Sequence, residues 1–95
     1  MYYTYILYSK KAQILYYGYT PNLKNRVEKH NTKKVISTKP YVPWSLVWYC
    51  AFPGRSQAKE FERYLKSGSG KAFAYKRLVD FEALGKDFGI RKSIP

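Results

Sequence analysis

The 95-residue sequence is poor in cysteine, histidine and carboxylates, with one Cys, one His and six Asp and Glu in all. A single cysteine excludes an internal disulfide and suits a reducing compartment, so we expect a cytoplasmic protein. One cysteine and one histidine also argue against a zinc site built from those residue types. Glu28, Glu60 and Glu62 are the carboxylates before Asp80. A two-metal phosphoryl-transfer centre needs several carboxylates close together, so the sequence argues against one.

Long apolar runs are also missing. The sequence has no stretch of about 18 apolar residues and no signal-peptide pattern, so we expect a chain that neither spans a membrane nor is secreted. Its hydrophobic content of 45% is enough for one domain with a modest core at this length.

Basic charge and aromatic rings are abundant. Eighteen Lys and Arg against six Asp and Glu give a net charge of +12, and 19% of the residues are aromatic. Such an excess of positive charge in a short chain indicates a polyanionic partner, and aromatic side chains among basic ones suit nucleic acid. Most of the rings are nevertheless expected in the core, and a basic, solvated surface without a specific partner remains the alternative.

The pattern along the chain predicts three strands and three helices. Residues 2–8 and 14–19 are typical of strands and form a hairpin over residues 3–19. Thr20 as N-cap and Pro21 at the first helical position open a helix that runs to about Asn31, and the polar residues 32–43 predict a loop. The nearly all-apolar stretch 44–52 predicts a third, central strand. Ser56 caps the next helix, Gly68 and Gly70 end it, and 72–81 predicts another short helix.

The fold class that follows is α+β, with a small, mostly antiparallel three-stranded sheet flanked by helices in the order β-β-α-β-α-α. We expect residues 1–80 to form the domain and residues 81–95 to be a C-terminal tail that is partly disordered.

Glu62 is an unexpected residue in its helix. The apolar stripe there consists of Ala58, Phe61 and Leu65. At about 100° per residue Glu62 points into that stripe, and an inward carboxylate needs an arginine, a metal ion or both as partner. One such carboxylate suits a single hard cation such as Mg²⁺, which would keep most of its water.

Four further residues carry candidate chemistry. Arg26 and His30 are four residues apart and therefore neighbours on one helix face, which is more often a polar rim than a site. Tyr5 and Tyr16 lie on predicted strands, where a lone tyrosine is usually core. A tyrosine base must overcome a reference pKa near ~10 and needs cationic or metal neighbours. Gly18 inside a strand indicates a bulge or a close backbone approach.

Together these positions resemble the GIY-YIG nuclease family. The residues that carry the resemblance are Tyr5-Ile6-Leu7, Tyr16-Tyr17-Gly18, Gly18-x-Thr20-x-x-Leu23-x-x-Arg26-x-x-x-His30 and Glu62 in a later helix. A second stretch is similar to small stand-alone bacterial members, which are related to the nuclease domain of the nucleotide-excision-repair machinery; it reads Phe52-x-x-Arg55-Ser56-x-Ala58-x-x-x-x-Glu62-x-x-Leu65-Lys66-Ser67-Gly68-Ser69-Gly70. The resemblance extends from residue 2 to about residue 78.

The sequence departs from the family pattern at three points. The first motif, Thr4-Tyr5-Ile6, lacks the family's glycine, and the second has Tyr17 where the family has isoleucine. The family's polar residue after the glutamate helix, often Asn, has no clear counterpart here, which bears on how a phosphate would be positioned.

The resemblance implies an endonuclease that hydrolyses DNA phosphodiester bonds with one Mg²⁺ or Mn²⁺ per site. It makes Glu62 the only protein ligand of that ion. Tyr5 or Tyr16 orients or deprotonates the attacking water, and the sequence does not choose between them. Arg26 stabilises charge in the transition state. His30 positions phosphate or the hydroxyl network, or shuttles a proton near its ordinary pKa of ~6.5.

DNA is the implied partner, held mainly through its backbone with little sequence specificity, in a salt-sensitive way. Whether a homodimer or a larger repair complex completes the cleft stays open at the level of sequence. The basic residues assigned to DNA binding are Lys24, Lys29, Lys33, Lys34, Lys39, Arg55, Lys59, Arg63, Lys66 and Lys71. Two other functions stay open: a non-catalytic nucleic-acid-binding module on the same scaffold, and a generic protein-interaction domain.

Overall fold

The computed structural model describes residues 1–80 and the backbone of residues 92–94. Its strands are β1 (Tyr2–Ser9), β2 (Ile14–Thr20), β3 (Trp44–Phe52) and β4 (Lys92–Ile94), and its helices are α1 (Leu23–Asn31), α2 (Arg55–Lys66) and α3 (Gly68–Phe73). A single 3₁₀ turn spans Lys39–Tyr41, and a π-helical turn, Ala74–Leu78, continues α3. The predicted α+β class and the order β-β-α-β-α-α are confirmed.

The strands form one sheet in the order β3-β1-β2-β4. β1 is antiparallel to both β2 and β3, as predicted, while β4 adds a short parallel pairing to β2 at residues 14–16. The expected partly disordered tail, residues 81–95, lies outside the described residues except for β4. The prediction that β3 is central is wrong, because β1 takes that place and β3 lies at the edge, with Tyr49 54% and Leu46 39% exposed.

Helices cover both faces of the sheet because successive strand residues point to opposite sides. Ile6 and Tyr8 of β1 pack in one hydrophobic cluster with Leu65 of α2. Tyr5 and Leu7 pack in the other, which includes residues of α1 and of the segment before β3. The sheet is therefore the middle layer, with α1 on one side and α2 and α3 on the other.

Several helix boundaries differ from the prediction. The predicted Ser56 cap is wrong, because Gly54 is the N-cap of α2 and Ser56 lies inside the helix, and the short helix predicted over 72–81 begins already at Gly68. Asn22, and not Thr20, caps α1: its Oδ1 accepts the backbone N–H of Asn25 at 3.1 Å, while Thr20 Oγ1 accepts the N–H of Asn22. At the end of α2, Ser67 both terminates that helix and caps α3 by accepting the N–H of Gly70. Gly70 lies inside α3, where a Cβ would overlap the carbonyl of Tyr64, so it serves close packing and not helix termination.

Candidate active site

The ring of Tyr5 lies directly on Gly18. The two residues face each other in the antiparallel pairing of β1 and β2, and a Cβ added to Gly18 would overlap the hydroxyl end of the Tyr5 ring. The predicted close backbone approach at Gly18 is thus confirmed. The alternative, a bulge there, is wrong, because the register of β1 with β2 is continuous and the irregularity lies between β1 and β3 at Ile6 and Leu7.

A chain of hydrogen bonds holds the Tyr5 hydroxyl. Its oxygen is 3.0 Å from Nε2 of His30, and Nδ1 of His30 is 2.8 Å from Oγ1 of Thr38. The Thr38 hydroxyl donates its proton to the carbonyl of Val35, so it accepts from His30. His30 therefore carries its proton on Nδ1, and Nε2 accepts the hydroxyl proton of Tyr5.

His30 is neutral in the folded protein. Its side chain is fully buried, and that burial, together with the positive charge of Arg26, lowers its pKa from 6.5 to about 4. This lowered pKa argues against a proton shuttle that operates near the ordinary histidine pKa. With both ring nitrogens engaged, His30 acts as the acceptor that fixes the direction of the Tyr5 hydroxyl.

The buried imidazole predicts a dependence of stability on pH. Between pH 6.5 and about 4 the unfolded chain binds a proton at His30 that the folded protein does not. Stability rises with pH wherever the unfolded state binds more protons, so acidification through this window should lower the free energy of unfolding, by about 2 kcal/mol between pH 7 and pH 5.

Urea unfolding at pH 7, 6 and 5 measures this change, in a range where ordinary carboxylates hardly titrate. Because the sequence has one histidine, its Cε1 proton gives a single resonance whose titration reports the pKa directly. A midpoint near pH 6.5 would contradict the arrangement of Tyr5, His30 and Thr38.

Tyr16 stands next to this pair. Its ring centroid is 4.9 Å from that of His30 and 6.3 Å from that of Tyr5. Tyr16 is half-buried, whereas Tyr5 is 1% exposed. Burial, followed by the neighbouring Tyr16, raises the pKa of Tyr5 strongly, so Tyr5 remains a neutral phenol and Tyr16 is the tyrosine that solvent reaches.

Arg26 and Glu62 both act on the Tyr5 hydroxyl. The guanidinium of Arg26 lowers the pKa of Tyr5 through a polar contact and its charge, and the carboxylate of Glu62 raises it. These effects are smaller than those of burial and Tyr16. The two charged groups that shift this pKa belong to α1 and α2 respectively.

The flanks of the two helices explain this convergence. Arg55 of α2 donates to the hydroxyl of Tyr19 on β2, at 3.2 Å. Glu62 is seven residues further along α2 and so returns to the same flank, toward β2. On α1, Asn31 bonds the backbone of Trp44 on β3, and Arg26 lies on the flank away from that contact. Both charged groups thus reach the sheet at its β2 side.

Glu62 is largely, though not fully, withdrawn from solvent. Its side chain is 14% exposed and forms an ion pair with Nζ of Lys66, one turn further along α2, at 2.5 Å. The sequence predicts an arginine or a metal ion as its partner, and in the described residues the partner is this lysine. The i,i+4 spacing of the two residues is the signal that would have indicated it.

Comparison with known families identifies the chain. The model of the GIY-YIG catalytic domain matches residues 1–76. The chain belongs to the GIY-YIG family. That family is nuclease-type, and the matched residues contain every element from β1 to α3. Curated proteins and solved structures gave no match.

GIY-YIG nucleases generally use a divalent metal ion. Within residues 1–80 and 92–94, no group of three or more His, Cys, Asp and Glu side chains comes together. Glu62 nevertheless fits a single hard cation, because its carboxylate is partly accessible and oxygen ligands suit Mg²⁺ and Mn²⁺. Such an ion would compete with the Lys66 ammonium for the same oxygens.

The basic residues of this GIY-YIG domain lie on both layers. Lys24 and Lys29 belong to α1, and three lysines occupy the segment between α1 and β3. Arg55, Lys59, Arg63 and Lys66 belong to α2 in the opposite layer. Eight of the ten predicted DNA contacts are exposed, and the half-buried ones are Lys66 and Lys71. In the described residues, no helix is both long and apolar enough to cross a membrane.

Thr38 is the site residue that sequence reasoning missed. It is fully buried, orients His30, and its own carbonyl accepts the indole N–H of Trp44 at 3.0 Å. It belongs to the polar segment 32–43, for which the sequence predicts only a loop. A threonine in such a segment has no periodicity to indicate burial, so the sequence holds no signal for it.

Proposed function

We propose that this protein is a metal-dependent endonuclease that hydrolyses DNA phosphodiester bonds. The observation that carries the proposal is the position of the Tyr5 hydroxyl, which bonds His30 and lies within the electrostatic reach of both Arg26 and Glu62. A cation, an anion and oriented phenols around one point suit phosphate ester hydrolysis, in which negative charge grows on the phosphoryl oxygens.

The protonation and exposure of each side chain decide which role we assign to it in the hydrolysis. Arg26 contacts a phosphoryl oxygen and stabilises the charge that develops there. Tyr16, the more accessible phenol, orients the attacking water. Tyr5 stays protonated against His30 and acts as a fixed dipole at the phosphate, so this scheme does not use Tyr5 as the general base.

Glu62 would hold one Mg²⁺ or Mn²⁺, with water completing the coordination sphere. The chemistry that a bound ion supplies is polarisation of the phosphate and neutralisation of charge on the leaving oxygen. Lys66, released from its ion pair, would then face the phosphate backbone. Hydrolysis breaks the bond between phosphorus and the 3′ oxygen and leaves a 5′-phosphate and a 3′-hydroxyl.

Nicking of supercoiled plasmid tests this proposal. Purified protein with Mg²⁺ or Mn²⁺ should convert supercoiled DNA to the open circle, and EDTA should stop the reaction while DNA binding persists. Absence of nicking with either ion, on linear, branched and plasmid DNA alike, would reject the endonuclease.

One observation favours a second candidate, a non-catalytic DNA-binding module. The carboxylate of Glu62 is already neutralised by Lys66, as in a site that no longer needs a cation. The two functions separate in a metal-binding measurement: titration with Mn²⁺ followed by its paramagnetic broadening should affect resonances around Glu62 in the nuclease and leave them unchanged in the module.

A further inference from the structure

An open groove of about 610 Å³ runs along the flank of α1 that faces away from Arg26. Its walls include Tyr3 of β1, Leu46 and Tyr49 of β3, and Leu23 and Lys24 of α1. Lys24 and Arg26 are two residues apart and so about 200° apart around the helix. The groove is therefore separate from the site built on Tyr5, although both lie on the same face of the sheet.

Beside the groove, α1 leaves part of this face of the sheet uncovered. The helix has nine residues, and the face continues past it to the edge strand β3. Tyr49 is 54% exposed and Leu46 39% exposed there. The rings of Tyr3 and Tyr49 meet edge to face, with centroids 6.2 Å apart. An exposed apolar surface of this kind in a small protein commonly marks a binding site.

We propose that this groove binds an unpaired nucleobase of a single-stranded DNA segment, with the adjoining phosphate on Lys24. Tyrosine faces bind bases of any sequence by stacking, and the lysine supplies the charge that a phosphate requires. None of the lining residues is acidic. A second copy of the chain fits less well, because each copy carries a net charge of +12 and would bring like charges together.

This inference rests on the proposed function, with DNA as the substrate, and restricts that substrate to DNA that contains an unpaired segment. Tyr3 and Tyr5 are two residues apart on β1, about 7 Å, which is about two base steps of a stacked strand. The groove opens toward β3 and the Tyr5 ring leans over Gly18 of β2, so a strand whose base lies against Tyr3 and Tyr49 passes beside α1 before one of its phosphates reaches the active site. The groove selects DNA with an unpaired segment next to the scissile bond, such as a flap, a gap or a single strand.

Fluorescence anisotropy in EDTA tests the groove without any cleavage. Tyr49→Ala should weaken binding of a single-stranded oligonucleotide about 5- to 150-fold, the range for losing one stacked base, while a blunt duplex binds within twofold of the unchanged protein. Tyr64→Ala is the matched control, since Tyr64 is 40% exposed on α2 in the opposite layer and should leave both affinities unchanged. Thermal melts monitored by circular dichroism confirm that both variants fold.

Equal loss for duplex and single strand, or no loss for either, would overturn the proposal. So would a concentration-dependent dimer that Tyr49→Ala abolishes, because the groove would then belong to a contact between chains. Since these measurements need no catalysis, a groove that binds single strands in a protein that cuts nothing would separate this inference from the proposed nuclease.

Discussion

Glu62→Gln should reduce metal-dependent DNA cleavage at least a thousandfold. The substitution keeps the size of the side chain and removes the charge that would hold the cation. A bound metal ion contributes several kcal/mol of transition-state stabilisation, and each 1.4 kcal/mol is about a factor of ten in rate. Stability should change little, because the lost partner is a single, partly exposed lysine, and such pairs contribute about 0–1 kcal/mol.

Glu60→Gln provides the matched control on the same helix. Glu60 is two residues from Glu62 and exposed, so this variant should cut DNA at the unchanged rate. Initial nicking rates with Mg²⁺ and Mn²⁺, together with Mn²⁺ affinity, measure the difference between the two variants. If Glu62→Gln cuts as fast as Glu60→Gln, the carboxylate is not the metal ligand, and the assignment of the site fails.

Arg26→Ala should lower the turnover number by about a hundred- to a thousandfold, as expected when one preorganised donor to a developing negative charge is removed. Arg26→Lys keeps the positive charge and loses the planar fork of the guanidinium, so it should recover a small part of the rate. DNA affinity should fall by much less than the rate, because many other cations hold the backbone.

Single-turnover kinetics at saturating protein separate these effects. Asn25→Ala serves as the control in the same turn of α1, where Asn25 is exposed and its side chain points away from Tyr5. An Arg26→Ala variant whose single-turnover rate stays within fivefold of the unchanged protein would remove Arg26 from the chemistry and leave it as a partner of Tyr5.

The sequence predicts the elements well because local patterns determine them. The many aromatic and β-branched residues of β1 and β2, and the apolar stripe of α2, indicate these strands and this helix correctly. The order of the strands in the sheet is harder to predict from local patterns, because it depends on which strand is covered on both sides. The apolar run of β3 predicts a central strand, yet Leu46 and Tyr49 are exposed at the sheet edge.

The sequence indicates which residues belong to the candidate site, but it does not indicate their hydrogen bonds or protonation. Motif spacing indicates Tyr5, Arg26, His30 and Glu62 at sequence separations that only the folded sheet brings together. The protonation of His30 is not readable from spacing, since its lowered pKa comes from burial and a nearby guanidinium. Thr38, the loop residue that accepts the Nδ1 proton of His30, likewise has no signal in the sequence.

The segment between α1 and β3 has a consequence for engineering this protein. Exposed polar connections normally tolerate inserted residues, tags or fused domains. Here Thr38, in the middle of the connection, is hydrogen-bonded to His30, which in turn is hydrogen-bonded to the hydroxyl of Tyr5. A change in the length of the connection before Thr38 would therefore displace the Tyr5 hydroxyl. The hairpin between Ser9 and Ile14 is the better place for a fusion, because its lysines are exposed and it lies four residue pairs beyond the pairing of Tyr5 with Gly18.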